Sequence, residues 1–590
     1  MRPRDRDRAR TPKDQWHPDA MTLPHIVIIG AGPAGLVALK TILATQQYTA
    51  TVYETSDTIG GTFRHKTYDD GALVSSRLLT AFSDFRFTGE ASKKDHPSIP
   101  EYLEYLEQYA DHFNLYQHIH FQSDVTDIQR SRSRARPTPT YTITIQDQAP
   151  QGSTITVRAD AVCICSGLHN IPNTPRITDF QQFTGHSFHS SQYKERSIFK
   201  NQRVLVVGAG ETGLDIAYRA AIAKADSVLL SARSGFLSVP HEWYKSAPLD
   251  SFITNLCECA YSHRWVEYWK IKWNFTTPFI RAGFLLGSGT SNGWNQWALT
   301  KTTTVARGHH IINKSVKAMA YINRPLKQKS FLGRWLYSKL DDETDPECPD
   351  IDTTYSVPVA ALGGKRIALS DGSVEEFDTI VFATGYKQKF PFLFHNGQED
   401  NGLEEEDEDG GGDDGDDPLP NVHNIIQDEE PTLSFIGFVR PNVGAIPPMA
   451  EIQVMWWLAR MSGQLCCSCP PSYHLMNKTN KRIGGYAVDY GAYMHDLARE
   501  MGSAPDLFKW LWTSPKVGIG YALGQSYPTY FCLEGPYMFA EAQGIAENEL
   551  WEPVVARPWV TNVVFVLIIA LFGVLNGACV LLETLFLKQF

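Results

Sequence analysis

Two stretches, HIVIIGAGPAG at 25–35 and RVLVVGAGETG at 203–213, decide the fold because each joins an apolar β-branched run to a GxGxxG turn. A helix-compatible run follows each turn, LVALKTILATQQ in the first case and LDIAYRAAIAKA in the second. Both predict a strand, a turn and a helix, which is the context that a glycine turn needs to bind a dinucleotide. We therefore expect an α/β protein with two Rossmann-like dinucleotide-binding domains, the second inserted in the first.

The three glycines of each turn have different physical tasks. The first permits the tight turn, the second lets the backbone approach a pyrophosphate, and the third lets helix and strand pack closely. The free N–H groups of the following helix then face the phosphates. The candidate residues of the two turns are Gly30, Gly32, Ala34 and Gly35 in the first, and Gly208, Gly210, Glu211, Thr212 and Gly213 in the second.

The ends of the two second strands predict two different dinucleotides. The strand ATVYE ends in Glu54, whose carboxylate can accept hydrogen bonds from both hydroxyls of an unphosphorylated ribose, as in FAD or NAD. The strand SVLLSAR instead offers Ser231 and Arg233, and a guanidinium there favours the 2′-phosphate of NADPH. An ordinary surface charge is the alternative for Arg233. Together the two ends indicate that two cofactors meet in one chain.

Composition excludes several classes of function. The chain has 590 residues, 43% of them hydrophobic, and a formal charge of −11. The stretch 404–417 carries ten acidic residues, so the rest is close to neutral and no field attracts nucleic acid. Rich in glycine and without apolar side chains, that stretch is predicted to be a disordered loop. The ten cysteines lack the two CxxC motifs typical of a zinc site, and we predict no metal.

The C-terminal end contains a candidate membrane anchor. Residues 563–582 are twenty residues long, and Asn576 is the only strongly polar side chain among them. That length spans a bilayer, although a buried core helix is the alternative. We expect a single-pass tail anchor that holds a cytosolic body on the endoplasmic reticulum. Gly573 and Gly577 have the GxxxG spacing of paired helices, which leaves a homo-oligomer open.

An aromatic-rich insert, expected to be helical, lies between the second glycine turn and the end of its domain. Trp265, Trp269 and Trp273 recur every four residues, so on a helix their rings share one face. Packing in the core, lining a substrate channel and resting in the membrane interface all remain open for this face.

At this point the sequence resembles the flavin-containing monooxygenases, class B flavoproteins that use FAD and NADPH. The resemblance runs from about residue 26 to residue 543. Its most specific segment is FTGHSFHSSQYK at 183–194, which fits the family pattern FxGxxxHxxx(Y/W). The other similar segments are GAGPAG with Glu54, IGGTF at 59–63, AFSDFRF at 81–87, GAGETG, FATGY at 382–386 and SFIGFVRPNVGAIPPMAEIQ at 434–453.

The resemblance implies an NADPH- and FAD-dependent monooxygenase. Such an enzyme inserts one oxygen atom of O2 into a small molecule through a C4a-hydroperoxyflavin. The aromatic-rich insert and the membrane anchor are the basis for a further expectation, namely a lipophilic substrate and a tailoring step in specialised metabolite biosynthesis, by N- or S-oxygenation, hydroxylation or epoxidation. Besides the two turns and the residues at the strand ends, the implied cofactor positions are Gly61, Thr62 and Val125 for FAD, and Thr384 and Gly385 in the segment that crosses between domains.

The sequence departs from the family pattern beside the expected flavin. Val74 stands where relatives often carry an asparagine, and Ser75 or Ser76 is a candidate for the missing polar group. Glu211-Thr212 replaces the Asn-Ser pair of many members. His189 of the 183–194 segment is either part of a moving linker or a structural histidine that fastens a strand, and we slightly favour the second.

Three other functions compete with this one. A Baeyer–Villiger monooxygenase acting on a ketone is less favoured, because that branch prefers tryptophan at the position of Tyr193. A disulfide oxidoreductase needs a redox cysteine pair on the flavin, whereas Cys163 and Cys165 are expected on a buried strand. A non-catalytic, membrane-bound protein that binds both cofactors remains an alternative because of Val74.

These expectations divide the chain as follows: a disordered tail at 1–23, the first part of the FAD domain at 24–195, the NADPH domain at 196–388 with its insert at about 240–339, the returning part of the FAD domain at 389–545 with the acidic loop at 402–418, a linker at 546–558, and the transmembrane anchor at 559–587.

Overall fold

The computed structural model describes most of the two expected domains and of the C-terminal helix. Nearly all of the predicted tail, the whole acidic loop, and Trp269 and Trp273 of the tryptophan series lie outside the described residues. The described residues are 23–132, 138–148, 152–233, 236–237, 242–243, 247–251, 265–266, 297–298, 316–327, 344–393, 420–467, 473 and 486–586.

The strands of the described part of the chain form both parallel and antiparallel sheets. In chain order they are β1 (His25–Ile29), β2 (Thr49–Tyr53), β3 (Ile119–His120), β4 (Ser123–Ser131), β5 (Thr140–Asp147), β6 (Thr154–Ala159), β7 (Ala161–Ile164), β8 (Ile171–Pro172), β9 (His186–His189), β10 (Arg203–Val207), β11 (Ser227–Ser231), β12 (Phe236–Leu237), β13 (Glu242–Trp243), β14 (Ala247–Pro248), β15 (Trp297–Ala298), β16 (Ile351–Thr354), β17 (Pro358–Ala361), β18 (Arg366–Leu369), β19 (Val374–Glu376), β20 (Thr379–Phe382), β21 (Tyr386–Lys387), β22 (Ile426–Gln427), β23 (Glu430–Phe435), β24 (Arg440–Pro441) and β25 (Ala487–Val488).

The α-helices of the described residues cluster after the glycine turns and in the last third of the chain. They are α1 (Pro33–Ala44), α2 (Thr62–His65), α3 (Arg77–Thr80), α4 (Ile99–His112), α5 (Glu211–Ile222), α6 (Val316–Lys327), α7 (Ile446–Met461), α8 (Tyr490–Glu500), α9 (Leu507–Thr513), α10 (Pro515–Leu523), α11 (Ala542–Glu547), α12 (Glu552–Ala556) and α13 (Trp559–Phe586).

The first sheet has the strand order β22-β23-β7-β1-β2-β3. Apart from the edge pair β22 and β23, its neighbouring strands are parallel. The strand β1 is apolar on both faces because α1 and α7 cover one face and the antiparallel strands β4, β5 and β6 lie against the other. This is the doubly covered arrangement expected of parallel strands.

The second sheet repeats the plan with the order β16-β11-β10-β20-β9, and all of its pairs are parallel. The helices α5 and α6 pack on one face, and the antiparallel strands β17, β18 and β19 cover the other. The α/β prediction is therefore confirmed, and each glycine turn joins the central strand of a sheet to a helix.

The chain crosses between the two sheets twice. It leaves the first sheet after β7 and returns to it with β23, which pairs with β7 from Leu433 to Phe435. The two crossing segments pair with each other through β8 and β21, antiparallel, with Tyr386 opposite Pro172. The second sheet thus lies between two parts of the first in sequence, and the crossings bring both sheets to one cleft.

The predicted insert and the C-terminal end differ in how much is described. Of the insert, the structure describes α6 and short strands such as β13 and β14, which pair with each other, so its described part is not wholly helical. The helix α13 is long and apolar enough to cross a membrane by its length and composition. Trp265 and Val266 pack against this helix beside Phe572 and Cys579.

Candidate functional site

A cleft of about 1260 Å³ lies where the two sheets meet, and residues of both glycine turns line it. Pockets this large accommodate an extended ligand rather than a small metabolite alone. Among the predicted residues, those that line the cleft are Gly30, Gly32, Ala34, Glu54, Gly61, Thr62, Ser75, Val125, Gly210, Glu211, Thr212 and Gly385.

In the first turn, the backbone leaves no room for a side chain at the first and third glycines. Gly30 has φ +100°, a left-handed conformation that favours glycine. A Cβ atom on Gly35 would lie 1.8 Å from the carbonyl oxygen of Gly30. Gly32 faces the cleft instead, and the nearest atom to its added Cβ would be the Cα of Gly61 at 3.8 Å. That open surface is where a pyrophosphate fits against the backbone.

The second turn has the same geometry. Gly208 has φ +104°, and a Cβ on Gly213 would lie 1.9 Å from the carbonyl oxygen of Gly208. A Cβ on Gly210 would meet no heavy atom within 4 Å. Glu211 and Thr212 start α5 beside this open position. Both turns therefore provide an open cradle that a Cβ would fill, which fits two bound dinucleotides.

Glu54 is held in place directly after β2. Its Oε2 accepts a hydrogen bond of 2.6 Å from the backbone N–H of Ala31, and its Oε1 accepts from both the backbone N–H and the hydroxyl of Ser56. The carboxylate therefore has a fixed orientation at the wall of the cleft. Each oxygen retains accepting capacity for a ribose hydroxyl.

The register of the second sheet shows which of its residues occupies the position equivalent to Glu54. Gly30 N–H donates to the carbonyl of Tyr53, and Gly208 N–H donates to that of Ser231, each over 2.8 Å. Since Glu54 follows Tyr53, its equivalent is Ala232, a buried residue without charge. The hydroxyl of Ser231 is buried and donates to the carbonyl of Ser356, whereas Arg233 is exposed next to the turn. Of Ser231, Ala232 and Arg233, only Arg233 is exposed and positively charged.

The two candidate serines beside Val74 have different surroundings. Val74 and Ser75 both line the cleft, and the Ser75 hydroxyl donates a hydrogen bond of 2.9 Å to the carbonyl of Gly444. The side chain of Ser76 is fully buried, and its backbone N–H donates to Oδ2 of Asp250 over 2.7 Å. Of these two serines, only Ser75 therefore presents its hydroxyl at the cleft wall.

His189 joins β9 to the second crossing segment. Its Nδ1 accepts from the backbone N–H of Ser191, so Nε2 carries the proton and donates to the carbonyl of Gly385 over 3.0 Å. Burial lowers the pKa of His189, which favours the neutral form of the ring. Thr384 donates its hydroxyl to the carbonyl of Asn173 in the first crossing segment. These contacts hold the second crossing segment against β9 and against the first crossing segment, where the resemblance placed a linker.

Other contacts across the cleft were not apparent from the sequence. The Tyr68 hydroxyl donates to the Asp215 carboxylate on α5, and the Arg219 guanidinium lies 4.6 Å from the centre of the Tyr68 ring. Lys66 donates to the carbonyl of Asn170 over 3.2 Å and lies 5.3 Å from the ring of Tyr386. Apart from Tyr386 in the segment 382–386, none of these residues belongs to a motif, and their partners are distant in sequence.

Cys163 and Cys165 lie on or directly after β7, with their sulfur atoms 3.6 Å apart. Both are free and buried, and burial raises the pKa of the Cys165 thiol well above its usual value. A thiol of this kind is a poor nucleophile because the thiolate is the reactive form. The geometry does not favour a redox cysteine pair.

Comparison with known proteins gives a consistent result. Residues 24–267 and 357–551 match the family profile described as "FMO-like: Flavin-binding monooxygenase-like". The chain is 33% identical over 587 residues to "Monooxygenase PC-14" of Penicillium crustosum, with 93% of this chain and 96% of that protein covered. It is also 33% identical to "Monooxygenase ptmN" of Penicillium ochrochloron, with 90% of each covered.

Among solved structures, S-allyl-L-cysteine S-oxygenase from Allium sativum has the same fold. Its TM-score is 0.51 at 17% identity, and the match covers 84% of this chain and 95% of that one.

Proposed function

Because the chain belongs to the flavin-binding monooxygenase-like family, whose members are oxygenases, we propose that it is an FAD- and NADPH-dependent monooxygenase acting on a lipophilic small molecule. The observation that carries the proposal is the cleft at the junction of the two sheets, which both glycine turns line. A protein that bound only one dinucleotide would have no need for the second open turn. Two cofactors in one cleft can exchange electrons directly.

The first turn would hold FAD. Gly32 leaves the backbone open to the pyrophosphate, Glu54 accepts from the ribose hydroxyls, and Gly61 packs against Gly32 to close the groove. Ala34 packs against Gly437, which lies two residues after the returning strand β23, so both parts of the FAD domain contribute.

The second turn would hold NADPH. Gly210 is open to the pyrophosphate, and Arg233 is exposed two residues beyond the end of β11, a strand whose end lacks a carboxylate. A carboxylate at that place would repel a 2′-phosphate, whereas a guanidinium binds it. Ala232 at the position equivalent to Glu54 therefore supports NADPH over NADH.

The cofactors, when bound, supply the hydride and the activation of dioxygen that side chains cannot provide. The residues of this chain position them, exclude water and shape the substrate pocket. Val74 and Leu73 give the cleft an apolar wall, and Ser75 adds one hydroxyl to it. An apolar wall suits a lipophilic substrate and limits the entry of water, which would divert reducing equivalents to peroxide.

We further propose that the product is a specialised metabolite tailored by N- or S-oxygenation, hydroxylation or epoxidation. The body of the protein would be held on the endoplasmic reticulum, facing the cytosol, by a single pass of α13. Exposed apolar side chains along α13, such as Leu567 at 64% and Val574 at 71%, support a lipid surrounding.

The test is an isotope experiment on the purified full-length protein reconstituted with FAD. With NADPH and ¹⁸O2, extracts of cells lacking the gene should yield a product heavier by one labelled oxygen atom, and NADPH consumption should follow it. A Gly210→Ala variant is the control for NADPH dependence, because its added methyl group would occupy the space of the pyrophosphate while meeting no heavy atom of the fold within 4 Å. A protein that binds FAD but never oxidises NADPH with any extract would be a binding protein, and the proposal would be wrong.

A further inference from the structure

The exposed face of α9 has no part in the proposed chemistry. Phe508 is 76% exposed, Trp512 is 92% exposed and Leu511 is 37% exposed. Spacings of three and four residues put all three side chains on one side of the helix. Clustered apolar side chains with this much exposure usually mark an interaction site.

The rest of α9 is held firmly, so these rings have a fixed outward direction. Trp510 is buried on the opposite side, and its Nε1 donates a hydrogen bond of 2.6 Å to Oε1 of Glu534. Asp506 caps the helix by accepting from the backbone N–H of Phe508 over 3.0 Å. A Cβ on Gly518 would lie 2.6 Å from the backbone nitrogen of Leu511, which shows that α9 and α10 pack with their backbones in contact.

The helix α10 connects this face to the C-terminal helix. It packs against α13. Its last residue, Leu523, accepts a hydrogen bond of 2.5 Å from Nη1 of Arg557, which lies two residues before α13 begins. Arg557 is buried, so this tie is rigid. Apolar side chains at the start of α13 are exposed as well, with Trp559 at 75% and Val560 at 51%.

We propose that the exposed face of α9 lies in the interfacial region of the same lipid bilayer that α13 crosses. The inference rests on the membrane anchor of the proposed function. Tryptophan and phenylalanine favour the boundary between headgroups and acyl chains. Lys516 is exposed beside this helix, where its ammonium group can reach a lipid phosphate, whereas the ammonium group of Lys509 is paired with Oε1 of Glu534 over 3.0 Å. The rigid path from α9 through α10 to Arg557 makes one binding surface of both elements.

The consequence is a fixed orientation of the catalytic body. A single spanning helix lets an attached domain tilt and rotate, whereas a second contact beside it restricts both motions. The body then presents one constant face to the membrane in which a lipophilic substrate dissolves.

The experiment measures the fluorescence of Trp512 in the full-length protein inserted into phosphatidylcholine vesicles. Subtracting the emission of a Trp512→Phe variant isolates this side chain, and Trp510→Phe is the matched control because Trp510 is buried against Glu534. Lipids brominated near the headgroup end of the acyl chain quench from the membrane, and iodide quenches from water. Carbonate extraction establishes separately that α13 is inserted.

We expect the Trp512 emission to shift to shorter wavelength in vesicles, to lose intensity with brominated lipid and to be insensitive to iodide. The Trp510 emission should respond to neither quencher. Quenching by iodide alone, in protein that resists carbonate extraction, would overturn this inference and leave the anchor intact. Protection from both quenchers would also overturn it, since Trp512 would then be covered by protein, such as a second copy of the chain. Loss of the protein on carbonate extraction would contradict the anchor itself.

Discussion

The third glycine of the second turn lies directly over the first, because a Cβ on Gly213 would come within 1.9 Å of the carbonyl oxygen of Gly208. The carbonyl oxygen of Gly208 cannot move away easily, because the N–H of the same residue donates to the carbonyl of Ser231 in the neighbouring strand. The middle glycine, Gly210, meets no such barrier. One turn therefore contains a position required for packing and a position required for binding.

These two glycines should respond differently to alanine. Gly213→Ala forces α5 away from β10, and we expect a loss of about 1–3 kcal/mol of stability together with NADPH binding. Gly210→Ala should leave the melting temperature unchanged but raise the KM for NADPH, because its methyl group occupies the space of the pyrophosphate. Thermal melts and steady-state kinetics measure both. Equal melting temperatures for the two variants would contradict the packing argument.

Arg233 should set the preference for NADPH. In an Arg233→Ala variant we expect the ratio of kcat/KM for NADPH over NADH to fall roughly ten- to hundred-fold, as one charge-assisted interaction of about 1.5–3 kcal/mol is lost. Lys200→Ala is the matched control, since this exposed cation precedes the opposite end of β10. An unchanged ratio would assign Arg233 to the ordinary protein surface.

Ser75 and Ser76 make a second matched pair. Ser75→Ala removes a hydroxyl from the cleft wall, and we expect more hydrogen peroxide per NADPH consumed. Ser76→Ala removes a buried hydroxyl that makes no hydrogen bond in the structure, so coupling should stay at the wild-type level. The measurement is peroxide formed against NADPH oxidised. A change confined to the Ser76 variant would refute the assignment.

A buried histidine on α8 predicts acid sensitivity of the fold. Burial, with a smaller effect of Arg499, lowers the pKa of His495 from 6.5 to about 4. The unfolded chain takes up this proton as pH falls through 6.5, while the folded chain does not. The contribution of the neutral His495 to the free energy of unfolding is therefore fully present above pH 6.5. It is lost as the pH falls to about 4, by up to about 1.4 kcal/mol per pH unit.

Replacing this histidine should flatten the response to acid. Relative to its own value at about pH 7.5, a His495→Gln variant should lose less of its melting temperature at about pH 5 than the wild type does. The difference between the two pH values cancels the direct cost of the substitution, such as the lost contact with Tyr521. Parallel declines in both proteins would show that His495 does not govern this step.

The sequence predicted the α/β fold and the strand, turn and helix around each glycine motif because these features are local. The residue of the second domain that would face the adenosine ribose was harder to predict from the sequence. Ser231 was a candidate, but the strand register buries its hydroxyl and puts Ala232 at the position of Glu54. A periodic pattern locates the end of a strand and does not decide which side chain faces the ligand.

The contacts that join the domains could not be read from the sequence. The Tyr68 hydroxyl donates to the Asp215 carboxylate across the cleft, and the backbone N–H of Ser76 donates to the carboxylate of Asp250 in the insert. In each case the partners are more than a hundred residues apart, and neither belongs to a motif. Such pairs depend on how the two sheets are placed by the crossing segments, which only the folded chain shows.

The most direct test of the central claim is anaerobic mixing of the FAD-reconstituted full-length protein with NADPH in a stopped-flow spectrophotometer. Two dinucleotides in one cleft predict that the bound yellow flavin is bleached by NADPH and that the colour returns when oxygen is admitted. A protein that retains no flavin, or whose bound flavin NADPH never bleaches, would contradict the account.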